Sequence, residues 1–477
     1  MKKFFVANLF FLVTLNILIK SFWILGIDRG VQNAVDAESY GMYFVILNFT
    51  YLFNIILDFG IANYNNRTIA QNPHLLRKYF GSIVPLKMLL SVVYMLIVLV
   101  AGWLNGYSSH MVIMLFWLCV TQVLSSFVSY FRSILTALFM FKTDSVISVL
   151  DRSLLILICS FFLWNARLRE SFCIDYFVYI QVLTMFVTCM TAMIICLVKT
   201  GRIRLKFNKP LTVLIIREGW PYAMLGLLMA CYNRLDSVML TALLDDGGRS
   251  AAIYASGFRL VDSANMVSLL FSVILLPLFS RMIKEKTSVE PIVSTAWNLV
   301  LVMSVCFIFV SVVYSTELMT LMYNKHISES ADIYRILAFC FLPISVTYVF
   351  GTLLTANGSM KALNIIAFAG MVMNIVLNLL FIPKWQQNGA ALTSLVTQSL
   401  TAFMQMAYAF RLFKLRLTRT YLCKIVLFLL LNVIIYVALH KIDILWIFRV
   451  LISLMLSLLS AFATKLFSLR DVKQMLS

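Results

Sequence analysis

About fourteen stretches of this chain run for about twenty residues or more with hardly a charge in them, and no water-soluble fold can bury that many. Their approximate limits are 4–26, 40–62, 79–104, 111–139, 145–164, 176–198, 211–243, 251–280, 292–316, 331–355, 362–382, 389–410, 420–439 and 444–464. The 477 residues are 62% hydrophobic and only 12% charged, too little polar surface to coat a soluble domain. The runs are continuous and lack the period-two alternation of membrane strands, so a barrel is excluded. The expected fold is all-α: a polytopic membrane protein of about 14 transmembrane helices. After Met1-Lys2-Lys3 the first run is long enough to span, and no small-residue cleavage site follows it; it is expected to stay as the first helix.

The formal charge of +19 invites a nucleic-acid reading until its distribution is followed along the chain. Starting from an inside N-terminus, inside loops hold Lys and Arg over outside loops by about three to one, which is the positive-inside rule. Basicity is therefore topology, both termini are expected in the cytoplasm, and no nucleic-acid partner is expected. Of nine cysteines, seven fall within apolar segments, and no CxxC pair suggests a metal site or a disulfide framework. They read as small core residues, and no cofactor is implied.

The loop KTGRIRLKFNKP at 199–210 follows six segments and reads as a join between lobes. The expected organisation is an N-lobe at 1–198, the cytoplasmic loop 199–210, a C-lobe at 211–418, and a final helix pair with tail at 419–477. Two echoes support an internal repeat. ILTALFMFKTDSVI (134–147) matches LLTANGSMKALNII (353–366), with Lys142 and Lys361 in register, and YGMY (40–43) matches AAIY (251–254). Parallel repeats of this kind belong to transporters that bind substrate between their halves.

The stretch NIVLNLLFIPKWQQNGAALTSLVTQ (374–398) resembles the multidrug/oligosaccharidyl-lipid/polysaccharide exporter superfamily. Pro383 can end a helix where the lost N–H faces water, and Gly389-Ala390-Ala391 lets the next helix approach closely. RSILTALFMFKTDSVISVLDRSLLI (132–156), YNRLDSVMLTALLDDG (232–247) and the run from Ile253 to Lys286 are similar to its polysaccharide-transport, O-antigen flippase branch. That resemblance covers most of helices 1 to 12, with helices 13 and 14 matching only in number. It implies a bacterial inner-membrane flippase with a cationic central cavity, a polyprenyl-diphosphate-linked glycan as cargo, and a tail groove at the last two helices. Membrane lipids and polysaccharide polymerase machinery are the implied partners.

Charges within the apolar runs mark candidate sites. A central charge costs about 2.5–3.5 kcal/mol on insertion scales, so it persists only against protein or water. Arg234 and Asp236 stand two apart, about 200° around a helix, and cannot simply neutralise each other. By rise along their helices, Arg234, Arg259 and Lys20 fall at similar depth, a cationic set suited to a diphosphate and acidic sugars. Lys20 is also near enough its helix end to snorkel, and Arg259 and Asp262 are within i,i+3 reach of each other. Asp236, Asp262 and Asp58 are the candidate carboxylates for a coupling ion, H+ or Na+. Secondary candidates are Lys87, Asp151 and Arg152 near the cytoplasmic side, where interfacial pairing competes, and Asp58 in LDFGI, which could instead cap a helix bend.

An enzyme needs catalytic groups at a face, yet the outside loops are short and all four histidines lie in or beside loops. No GxxxxGK[ST] loop exists for ATP-driven transport. The competing reading is a multidrug antiporter, whose cavity would favour acidic and aromatic residues for cationic drugs.

Overall fold

In the computed structural model every regular element among the described residues is helical. Those residues are 15, 16, 18, 19, 22–62, 65, 69, 73–138, 140–165, 169, 171–200, 208–415, 418–464 and 466. A π-helical turn, Trp23–Asp28, leads into α1 (Arg29–Ala34), α2 (Ala37–Leu52), α3 (Ile55–Asp58), α4 (Leu76–Leu104), α5 (Ser109–Ala137), α6 (Phe141–Trp164), α7 (Ile174–Thr200) and α8 (Lys209–Leu243). There follow α9 (Gly247–Lys284), α10 (Glu290–Val313), α11 (Ser315–Met322), α12 (Ile327–Ala338), α13 (Phe341–Val346), α14 (Thr352–Ala356), α15 (Met360–Phe413), α16 (Arg419–His440) and α17 (Trp446–Ala463). Nine helices among the described residues are long and apolar enough to cross a membrane, or ten if the bent α8 is one span. The first predicted run lies mostly outside the described residues.

These helices invert the soluble pattern. On α4, Leu89, Val92, Leu96, Val100 and Trp103 recur at helical spacing and are all exposed, while Leu86, Leu90, Tyr94 and Val98 face inward. A stripe of that size is stable only against lipid. Six cysteines (119, 159, 189, 196, 306 and 340) are buried as small core residues.

Contacts group the chain into two compact units, Met1–Ala252 and Ile253–Ser477. This grouping differs from the expected division at the 199–210 loop, because α8 packs on α2 and α3. In the first unit, Ile83 of α4, Phe131 and Ile134 of α5, and Ala192 and Cys196 of α7 form a common core. The corner between α5 and α6 is clamped by Arg132 and the buried Asp144, Nε to Oδ1 2.7 Å and Nη2 to Oδ2 3.2 Å.

A tighter contact joins the end of α3 to α8. Phe59 and Gly60 adopt left-handed backbone angles in succession, φ 43° and 75°, which stops α3. Their turn lies against Gly219, where a Cβ would sit 1.9 Å from the Phe59 carbonyl oxygen. At that level α8 bends by 53°, between Arg217 and Gly219, and Pro221 has no N–H to give the Arg217 carbonyl. Gly219→Ala should therefore lose about 1–3 kcal/mol of stability through overpacking. The matched control is Gly226→Ala, whose Cβ meets nothing nearer than Ile55 Cδ1 at 3.5 Å. Thermal unfolding in detergent should separate the two variants; equal midpoints would mean the Phe59 contact yields freely.

The second unit holds the remaining helices. The two apolar runs expected at 362–382 and 389–410 form α15, whose direction breaks at Gln386 (φ 49°, ψ −130°). The turn thus falls three residues beyond Pro383, which stays within the helix. Gly389 permits it, since a Cβ there would lie 2.4 Å from the Phe381 carbonyl oxygen. Helices α16 and α17 pack together and on α10.

The sequence echoes have local structural counterparts. In the first, Leu138 N–H bonds Ile134 O at 2.9 Å and Met140 N–H bonds Leu135 O at 2.9 Å; in the second, Asn357 N–H bonds Leu353 O at 3.1 Å and Ser359 N–H bonds Leu354 O at 2.9 Å. Both corners end a helix at the Ala of LTA and start the next four residues later. The paired tyrosines behave alike: Tyr43 accepts from Gln181 Nε2 at 2.8 Å, and Tyr254 bonds Ser394 Oγ at 3.2 Å.

Candidate functional site

Three short sequence patterns converge inside the first unit. On α5, Gln122, Ser125, Ser126 and Ser129 fall at i, i+3, i+4 and i+7, one face of a helix in an otherwise apolar span. On α2 and α3, Tyr51, Asn54, Ile55 and Asp58 repeat the same spacing, and on α8 Gly226, Leu227 and Ala230 form the third wall. Together they line a cavity of about 330 Å³.

Lys87 of α4 anchors one side of it. The residue is 1% exposed, and its Nζ donates to Leu57 O at 2.9 Å, Ser126 Oγ at 2.7 Å and Asp58 Oδ1 at 3.4 Å. The Leu57 carbonyl is an orphan of the stopped helix, so the ammonium acts as its cap. Asp58 Oδ1 also accepts from Ala62 N–H at 3.3 Å. Two residues read separately from the sequence, Lys87 and Asp58, are therefore one ion pair. Asp58 thus sits at the helix break and lines the cavity.

Arg234 lies one turn beyond Ala230 on α8. Its Nη1 donates to Asn48 Oδ1 at 3.2 Å, and the guanidinium sits 5.2 Å over the Tyr51 ring. Asn48 is held in turn by its own helix, Nδ2 to Phe44 O at 2.9 Å. Tyr51 thus belongs to both features, bordering the cavity and carrying the cation. Asp236, on a different face of α8, is 1% exposed, whereas Arg234 is half-buried, as the 200° offset requires.

The other predicted residues distribute as follows. Asp151 pairs with Arg152 at 3.1 Å, and the Arg152 guanidinium lies 5.2 Å over the Trp23 ring. Arg259 and Asp262 are half-buried in α9 of the second unit. Asp262 makes no ion pair or hydrogen bond among the described residues, so the i,i+3 pair does not form. Lys20 lies outside the described residues. Sequence reasoning passed over Asn48, Tyr51, Asn54, Gln122, Ser125 and Ser129; their i,i+3,i+4,i+7 polar spacing was the available signal.

An all-helical bundle with lipid-facing apolar stripes and a polar chamber at membrane depth defines a multi-pass membrane protein. The chain belongs to the polysaccharide biosynthesis protein family, whose model matches residues 5–283. A second model, MatE, matches residues 221–380. No curated protein matches the chain in sequence. Among solved structures, the lipid II flippase MurJ in an inward closed conformation aligns at TM-score 0.71 and 15% identity, covering 95% of this chain and 98% of that one. An inward-facing multidrug resistance MATE family transporter of the MOP superfamily aligns at 0.63 and 13%, covering 84% and 94%. A MOP superfamily transporter from Pyrococcus furiosus aligns at 0.61 and 12%, covering 86% and 95%. The fold is that of the MOP superfamily.

Proposed function

We propose that this protein is a flippase moving an undecaprenyl-diphosphate-linked oligosaccharide, an O-antigen, capsule or exopolysaccharide repeat unit, from the cytoplasmic to the periplasmic leaflet of a bacterial inner membrane. The observation that carries the reading is Arg234, a cation inside an apolar span beside a polar chamber, its Nη1 reaching Asn48 Oδ1 and its guanidinium lying over the Tyr51 ring. Membership of the polysaccharide biosynthesis family supports it, and the named relative that flips lipid II supports a lipid-linked cargo. The diphosphate would meet Arg234, with Arg259 and Lys20 as further candidate cations, while the polyprenyl tail stays among membrane lipids and polymerase machinery takes the product outside. Alternating exposure of the two halves would carry the head group across, driven by H+ or Na+ at Asp236, Asp262 or Asp58.

Deleting the gene should make lipid-linked oligosaccharide accumulate on the inner leaflet, read by its failure to reach periplasmic sugar-modifying enzymes. Normal surface glycan with altered resistance to cationic toxins would instead favour the second reading, a MATE-like antiporter, which the MatE match at 221–380 keeps in play.

A further inference from the structure

The second unit carries a separate cavity that the transport of a glycan does not use. It opens where α10 and α16 begin and α15 ends, and its volume is about 390 Å³, room for an organic group rather than a bare metal ion. Its lining is partly aromatic. Trp297, Phe350 and Phe410 follow one another at ring-centroid spacings of 6.0 and 5.8 Å. Tyr421 of α16 also lines it, with its hydroxyl donating to Asn298 Oδ1.

The polar lining supplies one negative charge. Ser288, Glu290 and Ser294 border the cavity at the start of α10, and none of the three side chains makes an ion pair or hydrogen bond among the described residues. A carboxylate and two hydroxyls offer three acceptors to N–H groups, and the rings offer a π surface to a positive charge. That combination suits a primary ammonium. The mouth is basic: Leu415 and Thr418 line it, and their neighbours in sequence are Lys414 and Arg419. Beside the same opening, α16 presents Leu422, Val426, Leu430, Val433 and Val437 outward at helical spacing, all exposed, a track for acyl chains.

We propose that this cavity binds the headgroup of a phosphatidylethanolamine molecule of the surrounding bilayer. The ammonium lies against Glu290 and the rings, the phosphate meets Lys414 and Arg419 at the mouth, and the chains follow the exposed face of α16. The inference is independent of the cargo and holds for a flippase and an antiporter alike. Its consequence is mechanical. One lipid ties together the ends of α10, α15 and α16, so the folded chain is stabilised in proportion to the phosphatidylethanolamine content of the membrane.

The test titrates the purified, delipidated full chain in mild detergent with phosphatidylethanolamine, phosphatidylcholine or phosphatidylglycerol of identical chains, and counts bound lipids by native mass spectrometry. Wild type should hold one phosphatidylethanolamine about tenfold tighter than either other lipid, since choline has no N–H for Glu290 and glycerol has no charge for it. Glu290→Gln should lower phosphatidylethanolamine to the affinity of phosphatidylcholine. Ser294→Leu projects from an exposed helical position, where leucine is a good helix former, and should block the cavity while leaving size-exclusion behaviour as in wild type. Glycerophosphoethanolamine, the same headgroup without chains, should not displace the lipid at equal concentration. Equal affinity for the three lipids in wild type, or a phosphatidylethanolamine preference that survives both variants, overturns the proposal. Displacement by the chain-free headgroup at equal concentration overturns it too, because the cavity would then serve a soluble amine.

Discussion

Replacing Arg234 by alanine is expected to reduce glycan export by roughly a hundredfold, the loss of charge-assisted hydrogen bonds to a diphosphate at membrane depth. The substitution also removes the bond to Asn48 Oδ1 at 3.2 Å and the seat over the Tyr51 ring, so expression and melting temperature are measured beside export. Export is read as surface glycan in a deletion strain complemented with each variant. Arg234→Lys keeps the charge but loses the planar fork, so partial activity would indicate that bulk charge suffices, and loss equal to alanine would indicate bidentate geometry. Full surface glycan in the alanine variant would make Arg234 a structural residue and remove the main support for an anionic cargo.

Asp144→Ala should be the most damaging single change to stability, about 3 kcal/mol or more. The carboxylate is 6% exposed and takes both arms of the Arg132 fork, and its removal strands a cation at the α5–α6 corner. Arg132 is itself 31% exposed, so water relieves part of the penalty and the lower end of the range applies. The double variant Arg132→Met with Asp144→Leu should recover most of the loss, since an apolar pair leaves no uncompensated charge. Denaturation in a mild detergent, followed by size-exclusion chromatography, distinguishes these cases; a double variant no better than the single one would show that the corner needs polar groups for another reason.

Much of the architecture was open to sequence reasoning because the bilayer imposes so simple a rule. A span of fixed thickness demands about twenty apolar residues, so helix positions follow from hydropathy alone. Most of each predicted run from residue 40 onward lies in helix among the described residues, although the run at 40–62 breaks at Phe53–Asn54 and at Phe59–Gly60, and the LTA echo lands on two corners with matching hydrogen bonds. Family-like motifs were readable for the same reason: Gly389 and Pro383 act through local backbone geometry, although the turn itself settles at Gln386.

The site was legible only in part. Charges inside apolar runs announce themselves, so Arg234, Asp58 and Lys87 were visible one at a time. Their partners were not, because pairing depends on how separate helices rotate and approach, which no single helix records. Hydropathy and charge placement by themselves determined an all-helical membrane protein and a short list of buried ions. Only the tertiary structure decided that Lys87 caps the broken α3 and neutralises Asp58, that Gly219 admits the Phe59 carbonyl, and that Tyr51 joins a cation to a chamber of neutral amides and hydroxyls. The reason is physical: burial in lipid is set residue by residue along the chain, whereas hydrogen bonds between helices are set by distances of about 3 Å that exist only once the bundle has packed.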